Sequence, residues 1–245
     1  VTVCNIRDYC TESVTQHVLL SILSLSHSYA DYMHSIQKGE WQDGSGFSLL
    51  NHPIKELSGK KLGIVGFGVL GKGVAKAASA LGMEILVSES FDPNKESKDS
   101  MKRVGFDELL RESDVVSLHC PLTEETDGIF NDDAFEKMKS SAILINTARG
   151  GLVNDQALIK AIENKSIAGA AIDVLDQEPP DSDHPLMKKN YKNLRSYRWF
   201  APNDIRSFGH RSRAMQIGYS KDDWYGKPII GIINTWSDIH PSHIH

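Results

Sequence analysis

Along most of its length the chain alternates short apolar runs with segments whose apolar residues recur at helical spacing. Val14, Val18, Ile22, Leu25 and Tyr29 recur at intervals of three and four, which predicts one long helix over residues 12–36. LSGKKLGIVGFG then supplies a short buried strand, Leu62 to Val65, that runs into glycines. VAKAASAL reads as a helix, and Gly82 follows it in the position of a C-cap. EILVS, DVVSLHC from Asp114, AILIN from Ala142 and AGAAIDVL from Ala168 are further apolar strands. Between them lie DELLRES, NDDAFEKM and NDQALIKAIEN, short helical segments started by Asp or Asn, whose side chains cap free backbone N–H groups. Apolar strands alternating with helices imply βαβ units and a parallel sheet covered on both faces. The expected fold class is α/β, a doubly wound parallel sheet, over residues 1–192.

The pattern breaks at YKNLRSYRWF, residues 191–200, where arginines interleave with aromatics. Charge changes sign at the same place. Residues 193–245 hold seven Lys and Arg against four Asp and Glu, whereas residues 1–192 hold 20 against 28. A seam near Asn193 is therefore expected, with residues 193–245 as a separate piece. Pro228 to Ile233 is its one credible apolar strand, too little to offset an ordering cost of roughly 1–2 kcal/mol per residue.

Composition adds little beyond exclusions. With 40% hydrophobic and 24% charged residues and a formal net charge of −5, the chain has neither the basic balance of a nucleic-acid binder nor that of a membrane-surface protein. The longest apolar run, VLLSILSLSHSYA, is interrupted by serines and a histidine, too polar for a membrane span. Cys4, Cys10 and Cys120 have no metal-ligand spacing, so reduced thiols and a cytoplasmic setting are expected. His240, His243 and His245 could grip a metal, but a frayed terminus is the plainer account, and no metal is expected. The first residue, Val1, suggests that the sequence begins inside a longer reading frame.

The first chemistry-bearing motif is Gly66-Phe67-Gly68-Val69-Leu70-Gly71, directly after a strand and at the opening of a helix. Gly66 permits the tight turn, Gly68 lets a pyrophosphate approach the backbone, and Gly71 lets helix and strand pack closely. The helix N-terminus offers free N–H groups and a positive dipole end. Glu89 lies at the end of the next strand, where a carboxylate can accept both hydroxyls of an adenosine ribose and would repel a 2′-phosphate. NAD is thus expected over NADP.

Three later segments fall at strand C-terminal ends, where open α/β sheets bind ligands: His119-Cys120-Pro121 with Thr126, Thr147-Ala148-Arg149, and Asp173 through Glu178. Taken in order, NIRDYCTESVTQH, GKKLGIVGFGVLGKGVA, LHCPLTEETDGIFN, ILINTARGGLVNDQALIKAI and AGAAIDVLDQEPP closely resemble the D-2-hydroxyacid dehydrogenases, nearest the glycerate dehydrogenase and hydroxypyruvate reductase branch. The resemblance implies a Rossmann-like NAD-binding domain, a small 2-hydroxy or 2-keto acid as substrate, and a homodimer joined through the helix near Ser13 to Ile36, whose apolar stripe has no other obvious cover. It implies that Arg149 holds the substrate carboxylate, as a guanidinium fork suits. By the same resemblance Glu178 orients and charges a catalytic histidine, and Asp173 and Thr147 lie near the nicotinamide. His119, Cys120, Pro121, Thr126 and Ala148 complete the cofactor-contacting positions.

In that family the segment after NYKNL ends in Thr-Pro-His, and the histidine is the acid/base. Here the continuation is RSYRWFAP, with Trp199 about where the histidine belongs, and an indole N–H only donates. His184 matches a non-catalytic family position, and His210 lies past the seam. Residues 194–245 instead resemble the opening stretch of the sugar-acid and dihydroxy-acid dehydratases, with Ser242 in place of their cluster-binding cysteine. By these resemblances the chain joins two enzymes near Asn193, and the dehydrogenase part lacks the start of its substrate domain. Three functions follow as expectations: an NAD-dependent oxidoreductase, an NAD-binding module without turnover, and, third, a dehydratase fragment.

Overall fold

The structure is a computed structural model that describes residues 10–44, 46–92, 101–181 and 184–188. These fall into two compact units, one ending at Ile172 and one beginning at Asp173. The seam near Asn193, Cys4, Trp199, His210, Ser242, the strand expected at 228–233 and the terminal histidines lie outside the described residues.

The first unit is built on six parallel strands: β1 (Lys61–Val65), β2 (Glu84–Ser88), β3 (Arg103–Val104), β4 (Val115–Leu118), β5 (Ile143–Asn146) and β6 (Gly169–Ile172), in the order β3-β2-β1-β4-β5-β6. The order reverses beside β1, so the C-terminal ends of β1 and β4 flank the switch point where such sheets bind ligands. The five strands expected over residues 1–192 are all present. β3 was not anticipated, because two residues carry no periodicity.

The helices of this unit are α1 (Thr11–Ser26), α2 (Tyr29–Gln37), α3 (Glu40–Asp43), α4 (Val69–Ala80), α5 (Phe106–Glu112), α6 (Asp132–Lys137) and α7 (Asp155–Glu163), with a 3₁₀ turn at Gly150–Leu152. Asn131 and Asn154 cap α6 and α7 as expected, their side chains accepting from the N–H of Ala134 and Ala157. DELLRES differs: its helix begins at Phe106 after Gly105, and Asp107 lies in the first turn, where it suits the helix dipole instead of capping. Gly82 follows α4 with φ +81°, the left-handed conformation expected there.

The single helix expected over residues 12–36 is two helices. Ser28 takes a left-handed φ of 47°, and its hydroxyl donates to the Pro53 carbonyl at 2.8 Å. That bond offers the backbone an alternative to continuing α1. α2 then docks on the segment at 52: Tyr32 donates to the His52 carbonyl at 2.7 Å, and the buried Ser35 hydroxyl lies 3.0 Å from the His52 ring.

The α1 stripe also differs from expectation. Val18 and Ile22 are fully buried, in one apolar cluster with Leu62 and Ile64 of β1, Ala75 and Ala78 of α4, and Ile143 and Ile145 of β5. The sheet and α4 therefore cover Val18 and Ile22 from within the same unit, while Tyr29 of the stripe stays exposed. Each buried Val, Leu or Ile of this cluster contributes roughly 1.5–3 kcal/mol by leaving water. Alternate residues of β1 face the other way, where a side chain at Gly63 would run into Leu109 of α5 and Ser113 just after it. On that side Phe91, Phe106, Phe130 and Phe135 meet edge to face in succession, with centroids 5.3, 5.6 and 5.9 Å apart.

The second unit is described over 173–181 and 184–188 and includes one short helix, α8 (Pro185–Lys188).

Candidate cofactor and active site

The glycine motif forms the turn between β1 and α4. Gly66 has φ +97°, and a Cβ there would overlap the backbone of His119 and Cys120 at the end of β4. A Cβ on Gly71 would overlap the Gly66 carbonyl. Gly66 needs glycine for both contact and conformation, and Gly71, within the helix, for contact alone. Gly68 is different: it is extended, and a Cβ there would meet nothing within 4 Å. It faces open space directly ahead of α4, whose N-terminus has no side-chain cap. The first-turn N–H groups of Val69, Leu70 and Gly71 therefore have no bond of the i→i−4 kind, and Val69 is exposed. A phosphate approaching this turn finds room, donors and a favourable dipole.

Glu89 follows β2 immediately. Its N–H donates to the Val104 carbonyl at 2.9 Å, which fixes the backbone, and its carboxylate is exposed. A carboxylate at the C-terminal end of the second strand is the site expected for a ribose diol.

The β4 loop begins with His119, whose N–H donates to the Val65 carbonyl at 2.7 Å and so ties the ends of β4 and β1 together. Its ring Nε2 lies 2.9 Å from the Ser117 hydroxyl. Burial pushes the imidazole down to about 4, so it is neutral near pH 7. Burial likewise pushes the Cys120 thiol up to about 11, which makes it an unreactive thiol. Thr126 is 3% exposed, and its hydroxyl serves its own loop. It donates to the Pro121 carbonyl at 2.7 Å and accepts from the Thr123 N–H at 2.8 Å. Its place is that of a clamp shaping the Pro121–Thr126 turn.

The β5 loop presents Thr147, Ala148 and Arg149. The Thr147 hydroxyl oxygen is buried without a hydrogen-bond partner, an arrangement a polar ligand group would relieve. Arg149 is exposed, with one Nη1 bond to the Ala148 carbonyl at 2.7 Å. Asn146, the first residue of the NTARGG segment and one to which the sequence alone assigns no role, is fully buried at the end of β5 and bonds both Ala148 and Arg149. An Asn at a strand end before a turn is the available signal, since its side chain readily bonds backbone two residues on.

In the second unit, Asp173 is half-buried, and Glu178 accepts from the Leu175 N–H at 2.9 Å. Among the described residues no cluster of His, Cys, Asp or Glu could hold a metal ion. Among them, too, no helix is long and apolar enough to cross a membrane.

The glycine turn, the uncapped α4, the exposed Glu89 and the unpartnered Thr147 hydroxyl together fit a dinucleotide. Comparison with known proteins agrees. The family model for the NAD-binding domain of D-isomer specific 2-hydroxyacid dehydrogenases matches residues 19–195. The chain is 40% identical over 194 residues to a glycerate dehydrogenase of Methylorubrum extorquens, covering 79% of this chain and 60% of that protein. It is 34% identical to a hydroxypyruvate reductase of Blautia hydrogenotrophica, covering 84% of this chain and 64% of that one. Its fold is similar to that of a D-lactate dehydrogenase with NAD⁺ from Lactobacillus jensenii, with TM-score 0.64, 31% identity, and coverage of 79% and 58%. The chain thus spans about 60% of the length of these curated relatives.

Proposed function

Because the chain belongs to the D-isomer specific 2-hydroxyacid dehydrogenase family, we propose that its site is built for hydride transfer between NAD(H) and a small 2-hydroxy or 2-keto acid of the glycerate and hydroxypyruvate type. The observation that carries this reading is the glycine turn opening onto the uncapped α4, with Glu89 exposed at the next strand end. Gly66, Gly68 and the first-turn N–H groups of Val69, Leu70 and Gly71 would hold the pyrophosphate. Glu89 would take the ribose diol, favouring NAD over NADP. His119, Cys120, Pro121 and the turn clamped by Thr126 would wall the cofactor, with Thr147 and Ala148 toward the nicotinamide. The bound nicotinamide supplies or accepts the hydride.

The chain's own residues bind and orient the acid. Arg149, with guanidinium N–H groups beyond its one Ala148 bond, suits the carboxylate of the substrate. Glu178 would orient and charge an acid/base histidine, which this sequence lacks at the expected place near Trp199. We therefore read the chain as a cofactor-binding module with impaired turnover, residues 1–192 forming the dinucleotide domain and residues 193–245 a foreign piece. A homodimer fits the apolar residues left exposed on and beyond α1, among them Leu20 at 51%, Trp41 at 53% and Leu50 at 82%. The free Cys10 and Cys120 thiols suit a cytoplasmic setting.

Fluorescence titration tests the cofactor assignment: NADH binds, and NADPH binds clearly more weakly. Equal affinity for both, or no binding by a folded sample, overturns the Glu89 assignment. Turnover of hydroxypyruvate or glyoxylate with NADH should stay near background, since a positioned acid/base contributes roughly 10²–10⁴-fold. A rate on the order of 1 s⁻¹ or more would mean that another residue delivers the proton. Light scattering at micromolar concentration tests the dimer, and a clean monomer counts against it.

A further inference from the structure

We infer that Asn146 is the positioning residue of the β5 loop: its buried side-chain amide sets the backbone that presents Thr147 and Arg149. The proposal rests on the reading that these two residues face the nicotinamide and the substrate.

The backbone of Asn146 is locked in the sheet, paired with Leu118 on one side and Ile172 on the other. Its side chain turns into the loop that follows. Oδ1 accepts from the Ala148 N–H at 3.1 Å, and Nδ2 donates to the Arg149 carbonyl at 2.9 Å. One group must therefore donate and accept at once, at 0% exposure. A primary amide can do both, a carboxylate accepts only, and Gln would add a methylene to a filled site. The two bonds also fix which end of the amide is oxygen.

The far end of the same loop is tied differently. Gly128 and Phe130 donate to the carbonyls of Gly151 and Leu152 at 2.8 and 3.0 Å, and Asn154 donates to Phe130 at 3.0 Å. Residues 151–154 are thus anchored to the segment at 128–130, while Ala148 and Arg149 are held from the strand side by Asn146. Thr147 lies between the clamp and the clamped residues. Its hydroxyl has no hydrogen bond to steer it, so its direction follows from the backbone. Pre-set in this way, the loop need not be ordered when ligand arrives.

The test uses the full chain with two probes. NADH reaches the β5 loop, whereas ADP-ribose carries the adenosine and pyrophosphate but no nicotinamide. Asn146→Asp keeps the acceptor, loses the donor and sets a carboxylate against the Arg149 carbonyl. It should weaken NADH by roughly tenfold or more while leaving ADP-ribose within about twofold. Unchanged NADH affinity, or equal loss for both probes, overturns the proposal, because a merely structural role would not separate them. Thr147→Val tests the underlying reading apart from the clamp. If it binds NADH normally while Asn146→Asp does not, the clamp stands and the Thr147 assignment falls; the reverse pattern overturns the clamp alone. Should Asn146→Asp not fold, amide exchange over residues 147–150 of the unliganded natural chain decides. Slowed exchange is expected, and exchange at an open-loop rate overturns the proposal.

Discussion

The two ends of the parallel sheet are built from different chemistry. At the C-terminal end the polar groups are mostly buried, neutral and engaged with their neighbours: the His119 ring with the Ser117 hydroxyl, Thr126 with its own turn, Asn146 with the β5 loop backbone. At the N-terminal end the strands meet charges in pairs. Lys61 Nζ lies 2.6 Å from Glu112, and the Lys61 N–H donates to Asp114 at 2.9 Å, which also meets Lys139 at 3.2 Å. Flexible, solvated ion pairs close an end where little precision is required. Buried neutral bonds hold the other end in one arrangement without spending a charge near an anionic ligand.

The sharpest way to break this contrast is Gly66→Ala. A side chain at φ +97° must also displace the backbone of His119 and Cys120, so the expected cost is about 2–4 kcal/mol. Thermal melting should fall and NADH binding should be lost together; a variant that keeps both would mean the turn relaxes freely.

Acid titration separates the two ends next. His119 has its folded value depressed to about 4, below the ordinary value of 6.5, so the unfolded chain binds the proton more readily. Its contribution to stability is full above about 6.5 and is lost as pH falls toward about 4. Urea midpoints measured from pH 8 to 4 should decline through that window, and His119→Gln should flatten the decline. An unchanged slope in the variant would mean the ring protonates without penalty.

Asp114→Asn probes the opposite end. Burial raises the carboxyl, but hydrogen bonds from the Lys61 N–H and Lys139 outweigh it and hold the group below the usual range. Its stabilisation is present above the unfolded value near 3.9 and disappears as pH falls through the lower folded one. Replacement should cost about 1 kcal/mol at pH 7, erase the acid-range part of the pH dependence, and leave NADH affinity unchanged. Altered NADH affinity would show that the two ends are coupled. Lys160→Ala, which removes an exposed 2.7 Å pair with Asp132, should leave the urea midpoint essentially unchanged, because solvent screens such a pair. A clear shift in the urea midpoint would raise the weight given to surface pairs here.

Much of this was legible before any coordinates. Apolar strands separated by helices, the glycine turn and its acidic partner Glu89 are local patterns, and local sterics enforce them: only glycine tolerates Gly66's conformation, and a parallel strand buried on both faces must be apolar throughout. The Asn131 and Asn154 caps were visible for the same reason, because a cap bonds the backbone three residues away.

What needed the tertiary structure is a set of partners that sequence spacing does not name. The break at Ser28 depends on a carbonyl 25 residues away, at Pro53. The cover over Val18 and Ile22 comes from β1, α4 and β5, the last more than a hundred residues later in the chain. Thr126 and Asn146 show the limit most plainly. As letters in LHCPLTEET and ILINTARGG they mark a site, but whether a hydroxyl or an amide meets ligand or its own loop depends on where the backbone turns. Hydrogen bonds act over about 3 Å with strict direction, and only the folded chain sets that geometry.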